Sequence, residues 1–393
     1  MPQRQDKPNT PLIRPPLGLY IHLPWCVRKC PYCDFNSHAL RDGVPENAYV
    51  DALLADLRQD LDWVKGRRLH SIFLGGGTPS LFSPDSLARL LESVQGLVPW
   101  DKPIEITLEA NPGTVESAKF RAFRASGINR LSLGVQSFQD DKLTALGRIH
   151  TAREALKAID TARSAGFDNL NLDLMFGLPG QSLNDALSDI DTAIAQDPAH
   201  ISYYQLTLEP HTLFAKYPPR LPQDEHIWTL QNACQEKLAA GGFKRYEISA
   251  YARDGFQCRH NLNYWRFGDY LGIGAGAHAK LTDPERNAIH RIWKIRHPDH
   301  YREKAASPAR VGGRSIIRES DKPLEFLMNT LRLKEGFTPS QFERRTGMGF
   351  AQIVPALELL LVDGLLKRAG KRITCSPEGW NFLDTLLERF VSA

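Results

Sequence analysis

Leu19-Tyr-Ile-His-Leu-Pro-Trp-Cys26-Val-Arg-Lys-Cys30-Pro-Tyr-Cys33-Asp-Phe35 is the stretch on which the reading of this chain turns. It begins in a short β-like run, Gly18–His22, and three cysteines follow within eight residues. A loop that leaves a strand with C-x3-C-x2-C spacing can grip three irons of a cubane cluster and leave the fourth open to an outside ligand. The amine and carboxylate of an amino acid can chelate that open corner. The competing reading is structural zinc, which takes four protein ligands in a closed tetrahedron, with His22, Asp34 or His38 as the fourth. Zinc spacings usually run C-x2-C twice over, and Phe35 offers no ligand, so the spacing favours the cluster. Cys234, Cys258 and Cys375 stand alone. A tight thiol trio without a disulfide framework points to metal in a reducing compartment.

Outward from this loop, short β-like runs alternate with helical patterns as far as residue 210. The runs are Gly18–His22, Ser71–Leu74, Ile104–Glu109, Arg130–Val135, Asn169–Leu174 and Ile201–Leu206. Between them, Tyr49, Leu53, Leu57, Leu61 and Val64 fall on one helical stripe. Ser83-Pro84 opens a second helix, and Ser182 caps a third. Six strand–helix units in series predict an α/β fold with a parallel sheet. They suit a partial (β/α)6 barrel, although an open doubly wound sheet has the same periodicity. In either case functional residues are expected at the carboxyl ends of the strands. The segments found there are unusual: Gly75-Gly-Gly-Thr-Pro79, Glu109-Ala-Asn-Pro112, Gly134-Val-Gln-Ser137 and Asp173-Leu-Met-Phe-Gly-Leu-Pro179.

The 393 residues carry 42% hydrophobic and 24% charged side chains, with a formal charge of +4 spread along the chain. That balance fits a soluble globular protein and names no nucleic-acid partner. No apolar run is long enough to span a bilayer, and a cytoplasmic location is expected. Residues 1–16 read as a disordered lead, 17–215 as the barrel and 216–319 as an accessory region. From 320 to 393 the pattern becomes a small, mostly helical domain. Leu324, Leu327, Met328 and Leu331 make one stripe, Thr338 starts a second helix and Ile353 to Leu361 form a third. A ribbon turning near Gly370 follows, so a winged-helix-like C-terminal domain is predicted. Residues 350–363 contain no lysine or arginine, which argues against a DNA-recognition helix.

C-x3-C-x2-C after the first of six strand–helix units resembles the radical S-adenosylmethionine (SAM) superfamily. The fuller string Leu19 to Phe35 is similar to its coproporphyrinogen III oxidase-like (HemN/HemW) family, on the haem-chaperone side, and the similarity runs over nearly the whole chain. The resemblance implies a [4Fe-4S] cluster on Cys26, Cys30 and Cys33. In that superfamily the reduced cluster passes an electron to bound SAM, giving methionine and a 5′-deoxyadenosyl radical. It also implies SAM contacts at Tyr20, Tyr32, Gly76, Gly77, Thr78, Glu109, Gln136, Arg148, Asp173 and Thr207. The glycines would let backbone approach the methionine part, and Glu109 would accept from an ammonium or a ribose hydroxyl. Arg148 would fork onto a carboxylate. Read without the family, Glu109 is equally a helix-start acid, and Arg148 a surface ion-pair partner.

Cys258-Arg-His260-Asn-Leu-Asn-Tyr264-Trp265 resembles the family's haem-binding stretch, in which the histidine takes the iron. Neutral imidazole suits haem iron, and Cys258 is an alternative soft ligand. On its own chemistry, a lone histidine beside aromatics is usually a hydrogen-bonded, half-buried structural residue. Gly268 to His278 is expected to close over the cofactor pocket, with His278 as a contact. Family members of the oxidase type usually carry a further cysteine two residues after the third, and an extra N-terminal segment. This chain has Phe35 and little sequence before its first strand. The expected function is a haem chaperone that passes haem to an unidentified acceptor protein. The alternative is an oxygen-independent coproporphyrinogen III oxidase-type enzyme acting on a tetrapyrrole.

Overall fold

Six strands follow one another as expected in the computed structural model, which describes residues 11–41, 43–114 and 117–391. They are β1 (Leu17–Leu23), β2 (Leu69–Gly76), β3 (Trp100–Ala110), β4 (Arg130–Gln136), β5 (Asn169–Phe176) and β6 (His200–Gln205). Each pairs in parallel with the next. Helices α1 (Glu46–Gln59), α2 (Pro84–Leu97), α3 (Ser117–Ala125), α4 (Ala152–Ser164) and α5 (Leu183–Ala195) lie between them in sequence. Strand residues alternate between two faces. On β1, Leu17, Leu19, Ile21 and Leu23 share one core with Tyr49, Leu53 and Leu57 of α1, while Gly18, Tyr20 and His22 face the other way. The helix starts follow local chemistry. The Ser83 side chain accepts from the Ser86 amide, and Ser182 forms a reciprocal capping box with Asp185.

The six strands are the centre of a larger open sheet of twelve. Beyond β6 lie two antiparallel strands, with β8 (Ala250–Ala252) inside and β7 (Lys244–Glu247) at the edge; α6 (Asp224–Ala240) precedes them. On the other side, β9 (Asp269–Ile273) pairs in parallel with β1. Antiparallel β10 (His278–Asp283), β11 (Ala288–Lys294) and β12 (Val311–Ile316) complete that edge. The segment expected as an accessory region thus lengthens the sheet at both edges. Helix α7 (Arg259–Trp265) joins the two halves and lies against the starts of the barrel strands. A buried ion cluster pins the late strands to α1: Asp56 and Asp60 receive Lys294 and Arg310, the Lys294–Asp56 contact being 2.6 Å.

A second core gathers the C-terminal helices α8 (Lys322–Thr330), α9 (Pro339–Thr346) and α10 (Val354–Val362) around Phe326, Phe337, Phe342, Leu357 and Leu360. The ribbon of β13 (Leu366–Ala369) and β14 (Arg372–Cys375) turns at Gly370, whose φ is +59°. Three helices followed by this wing match the predicted winged-helix-like form. One expectation is corrected. Leu12 is buried in this second core and the Ile13 amide donates to Arg344 O at 3.0 Å, so residues 11–16 are packed in place and are no part of a disordered lead. Residues 1–10 of that lead lie outside the described residues.

Candidate functional site

Alternation along the barrel strands stacks inward side chains in layers. Glu105, Thr107 and Glu109 share one face of β3; Ser132, Gly134 and Gln136 share one of β4; Asn171, Asp173 and Met175 share one of β5. At the carboxyl ends of these strands a cavity of about 430 Å³ opens. Cys26, Cys30 and Cys33 line it, together with Tyr32, Gly76, Gly77, Thr78, Glu109, Gln136, Arg148, Asp173 and Thr207. Of the residues expected around SAM, Tyr20 alone is not in that lining. It lies one layer lower, with its hydroxyl 2.9 Å from His22 Nδ1 and its ring against Phe73 and His260.

The cysteine loop is built as a compact turn. All three of its thiols are free, and the Cys33 amide donates to Cys30 O at 3.2 Å. Ser37 Oγ lies 3.9 Å from Cys33 Sγ, and Arg148 donates to Cys30 Sγ at 3.6 Å. Burial pushes the Cys26 and Cys33 thiols above their usual range, and the neighbouring sulfurs push further. Metal cations suit such a group because they stabilise the thiolate form. Among the described residues, no three His, Cys, Asp or Glu side chains are placed to hold one metal ion together. His22 is engaged at both ring nitrogens, by Tyr20 and by Asn36 O at 2.9 Å. Three thiols on one loop, with both nitrogens of His22 committed, fit a cluster with one open corner better than a closed zinc tetrahedron.

The glycine-dense segment after α7 has a different place from the one expected. It does not close over the cavity, because residues 269–273 are committed to the sheet as β9, beside β1. Its turn instead backs the cysteine loop: Asn36 Nδ2 donates to Ala275 O at 2.9 Å and to Arg296 O at 2.8 Å. Gly274 has φ +107°, and a Cβ there would fall 2.4 Å from His22 O. His278 stacks on Trp293 outside the cavity. Gly77 also serves the loop, since its Cβ would lie 2.5 Å from Trp25 O. Gly77, just after β2, thus admits the cysteine loop itself.

Around the cavity the polar groups are fixed by one another. Glu109 Oε2 accepts from the Gly76 amide at 3.1 Å, and burial, then the Asp173 charge, raises its pKa to about 7. Asp173 accepts from Ser132 Oγ at 3.0 Å and Asn171 Nδ2 at 2.8 Å, and burial raises its pKa too. Gln136 holds φ +72° at the end of β4, a costly conformation for a side chain with a Cβ. Its Oε1 accepts from Tyr204 OH at 2.7 Å. Arg148 donates to Gly134 O at 2.6 Å, yet its buried Nε has no partner. A guanidinium with one free nitrogen, in a cavity lined also by three thiols and by the carboxyl groups of Glu109 and Asp173, fits a zwitterion with an added positive centre, as SAM is. Thr207 Oγ1 donates to Glu209 Oε1 at 2.6 Å. Tyr204, Ser132 and Glu209 also line the cavity and escaped the sequence reading. Inward alternation from Ser202 was the available signal for Tyr204.

His260 lies at the opposite end of the barrel. Helix α7 closes the foot, and its first amides are received by Glu105: Arg259 N to Oε2 and His260 N to Oε1, both at 3.1 Å. Cys258 Sγ donates to the same carboxylate at 3.6 Å. His260 Nδ1 is 3.1 Å from Ser71 Oγ, and burial lowers its pKa to about 3, which keeps the imidazole neutral. Cys258 is fully buried, its thiol pushed up to about 12. A chain of hydrogen bonds links foot and mouth: Asp173 to Asn171, Asn171 to His200 Nδ1, His200 Nε2 to Tyr246 OH at 2.9 Å, and Tyr246 OH to the Cys258 amide at 3.3 Å.

Comparison with known proteins places this architecture. Residues 20–193 match the radical SAM superfamily and residues 317–382 match the HemN C-terminal domain. The chain is 47% identical over 387 residues to a protein of Haemophilus influenzae named "Heme chaperone HemW", covering 96% of this chain and 98% of the relative. It is also 47% identical over 378 residues to the protein of that name in Escherichia coli strain K12, covering 96% and 99%. A Mycobacterium tuberculosis relative with the same name is 33% identical over 384 residues, covering 96% and 95%. Among solved structures, coproporphyrinogen III oxidase (HemN) from Escherichia coli superposes with a TM-score of 0.81 at 21% identity, covering 96% of this chain and 90% of that one. That likeness shows the shared fold. With near-complete coverage at 47% identity and both domains matched, this chain belongs to the radical SAM superfamily, in the HemN/HemW family and its HemW branch.

Proposed function

We propose that this protein binds haem and delivers it to an acceptor protein, with a [4Fe-4S] cluster and SAM held in the barrel cavity. The supporting observation is the 47% identity, over 96% of the chain, to proteins named as haem chaperones. When bound, the cluster and SAM together supply one-electron chemistry at the cavity. Cys26, Cys30 and Cys33 would hold three irons. Arg148 would orient the SAM carboxylate, and Glu109 and Asp173 its ammonium and ribose. Tyr32, Gln136 and Thr207 complete the wall.

His260 is the proposed axial ligand of haem. Its seat beside Ser71 means that iron reaches it only once α7 leaves the foot of the barrel. Purified protein titrated with haem is expected to show a shifted Soret band, altered or lost in His260→Ala; absence of any shift at micromolar haem would overturn the reading. Phe35, where the oxidase-type relatives are expected to carry sulfur, is 57% exposed at the cavity. Porphyrinogen decarboxylation coupled to 5′-deoxyadenosine release is therefore not expected, and its detection would restore the oxidase-type alternative. Free thiols throughout fit the proposed reducing, cytoplasmic location. No helix among the described residues is long and apolar enough to cross a membrane.

A further inference from the structure

The hydrogen bonds between the cavity and α7 all run one way. At the mouth the chain ends on Asp173, whose two oxygens accept from Ser132 Oγ and Asn171 Nδ2. Asn171 presents its nitrogen to that carboxylate at 2.8 Å, so its Oδ1 turns to His200 Nδ1, at 2.5 Å. An amide oxygen only accepts, which places a ring hydrogen on Nδ1. His200 is fully buried, and burial, then the Arg130 charge, holds its pKa well below the usual range. The ring is therefore neutral and carries one hydrogen. Its Nε2 is left to accept from Tyr246 OH at 2.9 Å. The tyrosine oxygen accepts in turn from the Cys258 amide at 3.3 Å, and a backbone N–H can only donate.

Every hydrogen from the start of α7 to the cavity thus points toward Asp173. Bonds aligned in this way polarise one another, so a change at one end is felt at the other. The element able to respond is α7. Seated, it rests its first amides on Glu105, and the amide of Cys258 just before it rests on Tyr246. Withdrawn, it releases His260 from Ser71. A hydroxyl arriving at Asp173 from a ligand competes with Asn171 for the same carboxylate. The pull along His200 and Tyr246 then weakens, and the Cys258 amide is held less firmly.

We infer that His200 is a positioning residue that couples the cavity to α7, so that a hydroxyl-bearing ligand on Asp173 loosens the helix and favours exposure of His260. The inference rests on the reading of the cavity as a SAM site and of His260 as the haem ligand. It adds what prompts α7 to leave the foot of the barrel. Linkage makes the effect reciprocal: withdrawal of α7 tightens the ligand on Asp173 by the same factor.

The test follows hydrogen exchange across Arg259–Trp265 in anaerobically reconstituted protein with and without SAM, while calorimetry records SAM binding. Saturating SAM is expected to speed exchange there about fivefold or more, with α10 unchanged, and to tighten haem by the same factor. Tyr246→Phe removes one hydroxyl outside the cavity lining, and His200→Gln keeps one donor and one acceptor. In Tyr246→Phe, exchange should be fast from the start and indifferent to SAM; in His200→Gln the response should survive. A tyrosine that merely packs would leave the response to SAM intact when its hydroxyl is lost. Wild-type exchange unmoved by bound SAM overturns the coupling while the SAM site stands, and that comparison decides even if Tyr246→Phe fails to fold. A full SAM response in folded Tyr246→Phe overturns it as well. Absence of SAM binding in the calorimeter overturns the reading of the cavity itself.

Discussion

Glu109 shows how one carboxyl can be set for a cationic ligand. It sits on the cavity floor with Asp173 as the nearest like charge and Arg130 as an opposing one, and its pKa is raised to about 7. A raised acid binds its proton more tightly in the folded state. Its contribution to stability is therefore complete below about pH 4.5 and is lost as pH rises through 7. A cationic ligand reverses this preference, because it needs the carboxylate. SAM affinity is expected to rise by up to about tenfold per pH unit below 7 and to flatten above it. Glu109→Gln should bind more weakly, with that slope removed; calorimetry at several pH values will measure both. A slope retained in Glu109→Gln would assign the proton to another group. At the thiols the prediction is simpler. Cys26→Ala, Cys30→Ala and Cys33→Ala should each lose most of the roughly four irons per chain recovered after anaerobic reconstitution of wild type. Iron retained in any of these variants would remove that thiol from the ligand set.

At the scale of elements, α7 depends on a single carboxylate. Glu105 receives two of its backbone amides and the Cys258 thiol in a buried place. Glu105→Ala is expected to cost about 3 kcal/mol, since orphaned buried donors each cost 1–3 kcal/mol. The same change should speed hydrogen exchange across Arg259–Trp265; a melting temperature within 1 °C of wild type would refute the account. The sequence foretold this helix poorly. The six barrel strands were legible because alternating apolar runs repeat at even spacing, and Ser83, Ser182 and Thr338 mark helix starts by local chemistry alone. Glu109 and Asp173 could be placed because barrel sites follow strand ends, whereas Arg148, well beyond the end of β4, was placed by the family resemblance. His260 was legible as a residue type and illegible as a location. Whether a segment lies at the mouth or the foot depends on strands β7 to β9, whose partners come from far along the chain. Glu105 and Arg130 were missed for the same reason, since charges that meet inside a barrel leave no periodic trace.

At the scale of the whole molecule, the late strands and the early helix are joined by charge. Lys294 and Arg310 meet Asp56 and Asp60 in full burial. Removing one member leaves an uncompensated buried charge, so Lys294→Met is expected to cost about 3–5 kcal/mol. Chemical denaturation followed by far-UV circular dichroism will measure it. Replacement of all four members, Lys294, Arg310, Asp56 and Asp60, by apolar residues should recover part of that loss, and a larger loss would show the ions to be net stabilising. Translation gives another feature its consequence. Asn36, next to the thiols, is held by Ala275, 239 positions later. At 5–20 residues per second the cysteine loop waits roughly 10–50 s for the turn behind it to be made. Until then the thiols hang from a half-finished edge, and iron arriving early meets a loop with no wall at its back.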